Sequence, residues 1–162
     1  MRFEKDMIFF IFKDVYDKME KCVDKAKPYE ACGLIFGEIN QVINPDREED
    51  YFYHYIAKSF KCIESSHKSP VAFLMDDEEE LKEISDVIAQ EYNQKLISIF
   101  HSHPAGSYPS GVDDHYMKML YNVGIPKFKH IIWTIMDASN KELNGFVYLF
   151  NELIRILVEI NK

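Results

Sequence analysis

The sequence predicts an α/β fold: one α/β sandwich in which helices flank a mixed, mainly antiparallel sheet, with residues 1–162 forming a single domain. Two observations favour this class. Short apolar runs of strand length alternate along the chain with amphipathic helical patterns. The length of 162 residues, 47% of them hydrophobic, is enough for one sizeable core.

The first third of the chain predicts a strand, a helix and a hairpin. "MIFFIF" is a short apolar run, and the next stretch, "KDVYDKMEKCVDKA", places an apolar residue at each position of one helical face. Lys27-Pro28 ends that helix. "EACGLIFGEI" predicts a buried strand, and "QVINPDREEDYFYHYIA" predicts two strands around a turn at Asn44-Pro45-Asp46. The predicted buried helical face consists of Val15, Met19, Cys22 and Val23.

The remaining elements alternate in the same way. "KSFKCIESSHKS" is polar and without period, which predicts a loop, and "PVAFLM" predicts a strand. "DDEEELKEISDVIAQEYNQ" predicts a helix with acidic residues in its first turn, where the helix dipole favours them. "KLISIFH" predicts a strand, and "PSGVDDHYMKMLYNVG" a helix that ends near Gly124 and Pro126. "HIIWTIM", "GFVYLF" and "ELIRILVEI" predict three closing strands. The predicted buried stripe of the acidic helix consists of Leu81, Ile84, Val87 and Ile88.

Charge and cysteine content exclude several classes of protein. The formal net charge is −8, whereas binding to phosphates needs a basic surface, so nucleic acid is not an expected partner. The cysteines are odd in number and form no CxxC pair, which argues against a disulfide framework and for a reducing cytoplasm. The longest early apolar run, Met7–Phe12, is too short for a membrane span. We therefore expect a soluble cytoplasmic protein without a membrane partner.

The stretch "HSHPAGSYPSGVDD" holds the candidate metal ligands. Residues i and i+2 of a strand face the same side, so His101 and His103 can bind one ion, and zinc is the usual ion for imidazole with carboxylate. Ser110 is a good N-cap, and Asp113 at the third helical position can turn its carboxylate back towards the strand end. The alternatives are a structural histidine pair and an ordinary capping box.

A zinc hydrolase also needs a base that takes a proton from the attacking water. Two residues are candidates. His115 is close in sequence but belongs to the predicted helix, where a partly exposed surface histidine is the ordinary interpretation. Glu30 is the polar residue at the mouth of the apolar strand "EACGLIFG", and its alternative interpretation is an exposed acid before a strand.

"EACGLIFG" followed by "HSHPAGSYPSGVD" resembles the JAMM motif of the MPN-plus (Mov34/JAB) metalloprotease family. The resemblance implies an MPN (JAB)-like domain in which Glu30 is the catalytic general acid/base. It further implies that His101, His103 and Asp113 bind Zn²⁺ and that Ser110 stabilises the oxyanion. Six residues separate His103 from Ser110, one fewer than is usual in the family. Counting from His103 therefore selects Asp114 as the third ligand, and counting from Ser110 selects Asp113.

The resemblance also implies a substrate: a ubiquitin-like or sulfur-carrier protein whose C-terminal Gly-Gly precedes the cleaved peptide or isopeptide bond. Glycines suit a narrow groove because they let the backbone approach closely. The segment Lys58–Ser69 is either one wall of that groove or an ordinary surface loop. The alternatives are a non-catalytic MPN scaffold module and another zinc hydrolase such as a deaminase, which would need a cysteine pair that this chain lacks. A homodimer is a candidate assembly.

Overall fold

The computed structural model describes residues 6–63 and 78–161. Within them lie seven strands, three α-helices and a short 3-10 helix at Pro126–Phe128. None of these helices is long and apolar enough to cross a membrane. In chain order the elements are β1 (Met7–Phe12), α1 (Lys13–Ala26), β2 (Cys32–Ile43), β3 (Tyr51–Ile63), α2 (Glu78–Tyr92), β4 (Lys95–His103), α3 (Gly111–Asn122), β5 (Ile132–Asp137), β6 (Leu143–Leu149) and β7 (Glu152–Asn161).

The strands form one sheet that closes into a barrel, in the order β1-β3-β2-β4-β5-β6-β7 with β7 back on β1. Four of the described strand pairs are antiparallel (β2–β3, β2–β4, β5–β6, β6–β7) and three are parallel (β1–β3, β1–β7, β4–β5). The predicted α/β class with a mixed sheet is confirmed. The closure through β1 and β7 was not predicted, because it pairs strands from opposite ends of the chain.

Two apolar clusters cover the two faces of the sheet. Helix α1 packs on one face with its predicted stripe buried, as expected. Helices α2 and α3 pack on the other face, around Trp133. In α2 the prediction for Val87 is wrong: its side chain is 66% exposed, and Ser85 is buried instead. Residues 81, 85 and 88 share one helical face, and position 87 lies about 100° away from position 88 around the axis.

Strands β2 and β3 are longer than the sequence predicted. The two predicted stretches before the Asn44 turn form the single strand β2, which pairs with β3 along its whole length. Residues 58–63, predicted as the start of a loop, belong to β3. A glycine permits this pairing, since a Cβ on Gly37 would lie 1.8 Å from the Ile56 carbonyl oxygen. The rest of the predicted loop and the predicted strand "PVAFLM" lie outside the described residues.

The expectation of no disulfide is wrong. Cys22 of α1 and Cys62 of β3 form one, with a Cα–Cα distance of 5.8 Å. The two cysteines are 40 positions apart in sequence, so no local pattern indicates the pairing, which arises only when α1 packs against the end of β3. Cys32 is free and buried, and burial raises the pKa of its thiol to about 12. At neutral pH this thiol is therefore neither a nucleophile nor a metal-binding thiolate.

Reduction of the disulfide is expected to destabilise the fold. A cross-link across a loop of this length contributes roughly 4 kcal/mol by restricting the unfolded chain. For a chain of 162 residues this corresponds to a fall in Tm of about 8–16 °C, measured by thermal unfolding with and without reductant. The double variant Cys22→Ser/Cys62→Ser should unfold at the Tm of the reduced protein and be insensitive to reductant. An unchanged Tm on reduction would contradict the bridge.

Candidate metal centre

The end of strand β4 places two imidazoles side by side. Strand β4 lies between β2 and β5 and is buried along most of its length. His101 and His103 point to the same face, and their Nε2 atoms lie 3.2 Å apart. His101 is fully buried, and its other ring nitrogen, Nδ1, has no hydrogen-bond partner within residues 6–63 and 78–161. His101 thus faces His103 through its Nε2 atom.

The start of helix α3 brings a carboxylate to both imidazoles. Asp113 Oδ1 lies 3.1 Å from His101 Nε2, and Asp113 Oδ2 lies 2.9 Å from His103 Nε2. Ser110 is the N-cap: its Oγ accepts a hydrogen bond from the Asp113 amide, and its amide donates to Asp113 Oδ2 at 2.8 Å. Asp113 is buried and Asp114 is exposed. Asp113 thus belongs to the capping box and also faces both histidines. The capping-box interpretation and the metal-ligand interpretation of Asp113 are therefore compatible.

The three side chains fit a tetrahedral metal ion. They are the group within the described residues whose ligand atoms could hold a metal. Zinc bonds of about 2.0–2.1 Å give a tetrahedron with edges of about 3.3 Å, and the two Nε2 atoms, 3.2 Å apart, match one such edge. The Asp113 carboxylate contacts the two imidazoles through different oxygens, at 3.1 and 2.9 Å, and either oxygen could be the third ligand atom. Three protein ligands leave one position open, as in catalytic rather than structural zinc sites.

The charges of the cluster suit a cation. Burial disfavours the charged form of Asp113, but the hydrogen bonds with His101 and His103 outweigh it and lower the pKa of this carboxyl. Asp113 is therefore ionised at neutral pH. The hydrogen bond between Asp113 and His103 also raises the pKa of the His103 imidazole. The site thus offers a fixed anionic oxygen beside two ring nitrogens.

Glu30 lies beside this cluster, half-buried in the short connection between α1 and β2. Burial raises the pKa of its carboxyl, and the nearby imidazoles oppose that shift. The connection is fixed to β4 through the residue between the two histidines. The Ala31 amide donates to Ser102 Oγ at 2.8 Å, and the Ser102 amide donates to the Ala31 carbonyl oxygen at 3.0 Å. These two bonds hold the backbone next to Glu30 against the histidine strand.

Ser110 keeps a proton to donate. Because its Oγ accepts from the Asp113 amide at 3.1 Å, its own O–H can point elsewhere. The other candidate base, His115, is exposed on α3 and lies in edge contact with Tyr116, and it is not in the metal-ligand group. The structure therefore brings together Glu30, His101, His103, Ser110 and Asp113, and it leaves His115 outside.

Sequence reasoning missed three polar residues near the site: Ser102, Asp137 and Asn144. All three are buried. In the sequence, Ser102 looks like an ordinary strand residue. Only its position between the two histidines could have indicated a role near the site. Asp137 and Asn144 contact the loop that follows His103, from strands more than thirty residues away in sequence. No local pattern marks contacts of that kind.

Comparisons with known proteins agree with this geometry. The family described as prokaryotic homologs of the JAB domain matches residues 12–146. The solution structure of protein DSY2949 from Desulfitobacterium hafniense is similar, with a TM-score of 0.66 and 19% identity. The match covers 95% of this chain and 93% of that chain, and at this identity it supports the fold alone. No curated protein matches the sequence significantly.

Proposed function

Since the chain belongs to the family of prokaryotic homologs of the JAB domain, we propose that it is a zinc metalloprotease. Its substrate would be a ubiquitin-like or sulfur-carrier protein, cut at the peptide or isopeptide bond after a C-terminal Gly-Gly. The observation that carries the proposal is the cluster of His101, His103 and Asp113 with Glu30 beside it. A site that served only as a scaffold would not require a base next to a three-ligand cluster.

His101, His103 and Asp113 are the residues that would hold the ion. A zinc ion bound there would supply Lewis-acid activation of a water molecule and of the scissile carbonyl. The fold would hold these three ligand side chains in fixed positions. His101 and His103 are fixed by β4, which pairs with β2 and β5, and Asp113 is fixed by a capping box.

Glu30 would serve as general base and then as general acid. Its carboxylate would accept a proton from the attacking water and deliver a proton to the departing amine. Burial raises the pKa of the Glu30 carboxyl, which is the direction that favours a group that must both accept and return a proton. The Ser102–Ala31 hydrogen bonds keep this segment at the strand that carries the histidines.

Ser110 would stabilise the oxygen on which negative charge develops. Its hydroxyl is fixed by the Asp113 amide and retains its proton. A preorganised donor of this kind acts on the transition state more than on the ground state.

The surroundings of the cluster suit a protein substrate. Tyr29, Tyr108 and Val112 are exposed apolar side chains, and each lies within two residues of Glu30, Ser110 or Asp113 in sequence. The Tyr108 ring is held in place by edge contact with Phe146 and by a hydrogen bond from Arg155 at 3.1 Å. Exposed apolar groups near a reaction centre can bind an extended tail, and a Gly-Gly end lets that tail approach closely.

Ser110→Ala is expected to lower kcat by about 10²–10³-fold, the usual effect of removing one oxyanion donor. The lost cap should also cost about 1 kcal/mol of stability. Ser110→Thr keeps a hydroxyl and a good cap, so it should recover most of the turnover. Steady-state kinetics and thermal unfolding of both variants separate the two effects. Equal turnover of Ser110→Ala and wild type would remove Ser110 from the mechanism.

The proposal is tested by incubating the zinc-loaded protein with fusions in which ubiquitin-like and sulfur-carrier proteins precede a reporter. Matched fusions end in Ala-Ala instead of Gly-Gly. We expect cleavage after Gly-Gly, identified by mass spectrometry, and none after Ala-Ala. Stable binding of the fusions without cleavage would instead support a non-catalytic interaction module.

A further inference from the structure

The loop at residues 104–110 connects the histidine strand to Ser110 and Asp113, and it forms neither strand nor helix. Its position therefore depends on what it contacts. It contacts the β5–β6 turn, defined here as residues 138–142. At the start of the loop, the Ala138 amide donates to the His103 carbonyl oxygen at 2.9 Å. The turn thus contacts a candidate ligand residue directly through its backbone.

Asp137, the last residue of β5, holds the middle of the loop. Its Oδ2 accepts from the Gly106 amide at 2.8 Å. Its Oδ1 accepts from the amide and the hydroxyl of Ser139, at 2.7 and 2.5 Å. Gly106 has a φ of +89°, which lets the short loop turn and direct its amide at this carboxylate. One buried side chain therefore ties the loop to the β5–β6 turn.

Asn144, the second residue of β6, holds the next loop residue. Its Nδ2 donates to Ser107 Oγ at 2.7 Å and lies 3.2 Å from Glu142 Oε1. Ser107 Oγ donates to the same Glu142 oxygen at 3.2 Å. Asn144 and Ser107 are both buried. This closed triangle of hydrogen bonds fixes the loop three residues before Ser110.

The β5–β6 turn is itself supported by helix α1. Tyr16 Oη donates to the Lys141 carbonyl oxygen at 2.9 Å, and Lys141 Nζ pairs with Asp24 at 2.6 Å. The Lys141 amide donates to the Asp137 carbonyl oxygen at 2.8 Å. The turn is held on both sides, so it can act as a firm support for the loop.

We propose that Asp137 and Asn144 are positioning residues that hold the 104–110 loop, and with it Ser110 and Asp113, against the two histidines. Neither side chain belongs to the metal-ligand group, so both act through the loop. The consequence for zinc binding rests on the proposed function, whereas the effect on the loop does not. The support also explains how a loop one residue shorter than usual still delivers Asp113 to the cluster.

The test compares Asp137→Ala, Asp137→Asn and Asn144→Ala with wild type in two measurements. Hydrogen exchange of the peptide covering residues 104–110 should be faster by roughly fivefold or more in Asp137→Ala, since the hydrogen bond from the Gly106 amide to the Asp137 carboxylate is lost. The zinc dissociation constant, measured by competition with a chelator, should rise on the order of 10–100-fold, as for other residues that support a ligand. Asp137→Asn keeps one acceptor oxygen, so its effects should be smaller.

Asn44→Ala is the matched control. Asn44 is also buried and also holds a turn, through a hydrogen bond from the Asp46 amide at 2.9 Å. It lies at the opposite end of β2 from Cys32, which pairs with His101, and the strand between them is on the order of 35 Å long. Asn44→Ala should lower Tm but leave both loop exchange and zinc affinity unchanged.

The outcomes are distinct. Unchanged exchange of the loop in Asp137→Ala and Asn144→Ala would overturn the proposal. An equal loss of zinc affinity in Asn44→Ala would also overturn it, because the effect would then follow general stability. If wild type binds no zinc, the proposed function fails, and the exchange measurement alone still decides whether these residues position the loop.

Discussion

Glu30→Gln is expected to lower kcat by roughly 10²–10⁴-fold while leaving the fold and the bound zinc unchanged. Glutamine is nearly the same size as glutamate, and its amide cannot accept a proton from the attacking water. The Ala31–Ser102 hydrogen bonds use backbone and serine atoms only, so the segment should stay in place. Steady-state kinetics on a cleaved fusion, with zinc content measured on the same sample, checks the prediction.

Glu159→Gln is the matched control for Glu30→Gln. Glu159 is exposed on β7 and belongs to no part of the site, so its substitution should change neither kcat nor zinc content. A Glu30→Gln variant that cleaves at close to the wild-type rate would show that Glu30 is not the base. Loss of zinc in that variant would show instead that Glu30 acts by holding the ion.

Asp113→Ala is expected to weaken zinc binding by more than about 100-fold, beyond the effect of losing a residue that only supports a ligand. Asp114→Ala should bind zinc like wild type. Successive residues of a helix point about 100° apart, so the two carboxylates cannot exchange places without moving the helix. Asp113 faces both imidazoles at 2.9 and 3.1 Å, whereas Asp114 is exposed.

Asp113→Ala also removes half of the capping box, so a second variant is needed to separate folding from metal binding. Asp113→Asn keeps an oxygen that can accept from the Ser110 amide, and should therefore hold the helix start better than alanine. Zinc content after gel filtration and Tm are measured for all three variants. Retention of zinc in Asp113→Ala together with its loss in Asp114→Ala would reverse the assignment.

The parts of the site that the sequence predicted follow from local periodicity. Alternation along a strand placed His101 and His103 on one face. The helix-start pattern placed Ser110 at the cap and Asp113 three residues later. Both patterns depend on residues close in sequence, and both arrangements are present in the structure. The burial of α1 was predictable for the same reason.

The parts that the sequence did not predict depend on distant contacts. The closure of the barrel, the Cys22–Cys62 disulfide and the contact of Asp137 with Gly106 all join residues that are far apart in the chain. Val87 shows that packing can also overrule a predicted buried position within a single helix. An apolar residue one position from the buried stripe fits an approximate pattern, and only the packing of α2 shows that Ser85 takes its place.

The most direct test of the zinc-protease account is a titration of the metal-free protein with zinc while cleavage of a Gly-Gly fusion is followed. Two imidazoles and one carboxylate form one candidate site for a metal ion, and three protein ligands would leave its fourth position open. The account predicts no cleavage without zinc, a linear rise in rate up to about one zinc per chain, and a plateau thereafter. Equal cleavage by the metal-free protein would contradict it, as would the absence of cleavage of every fusion by protein that has bound one equivalent of zinc.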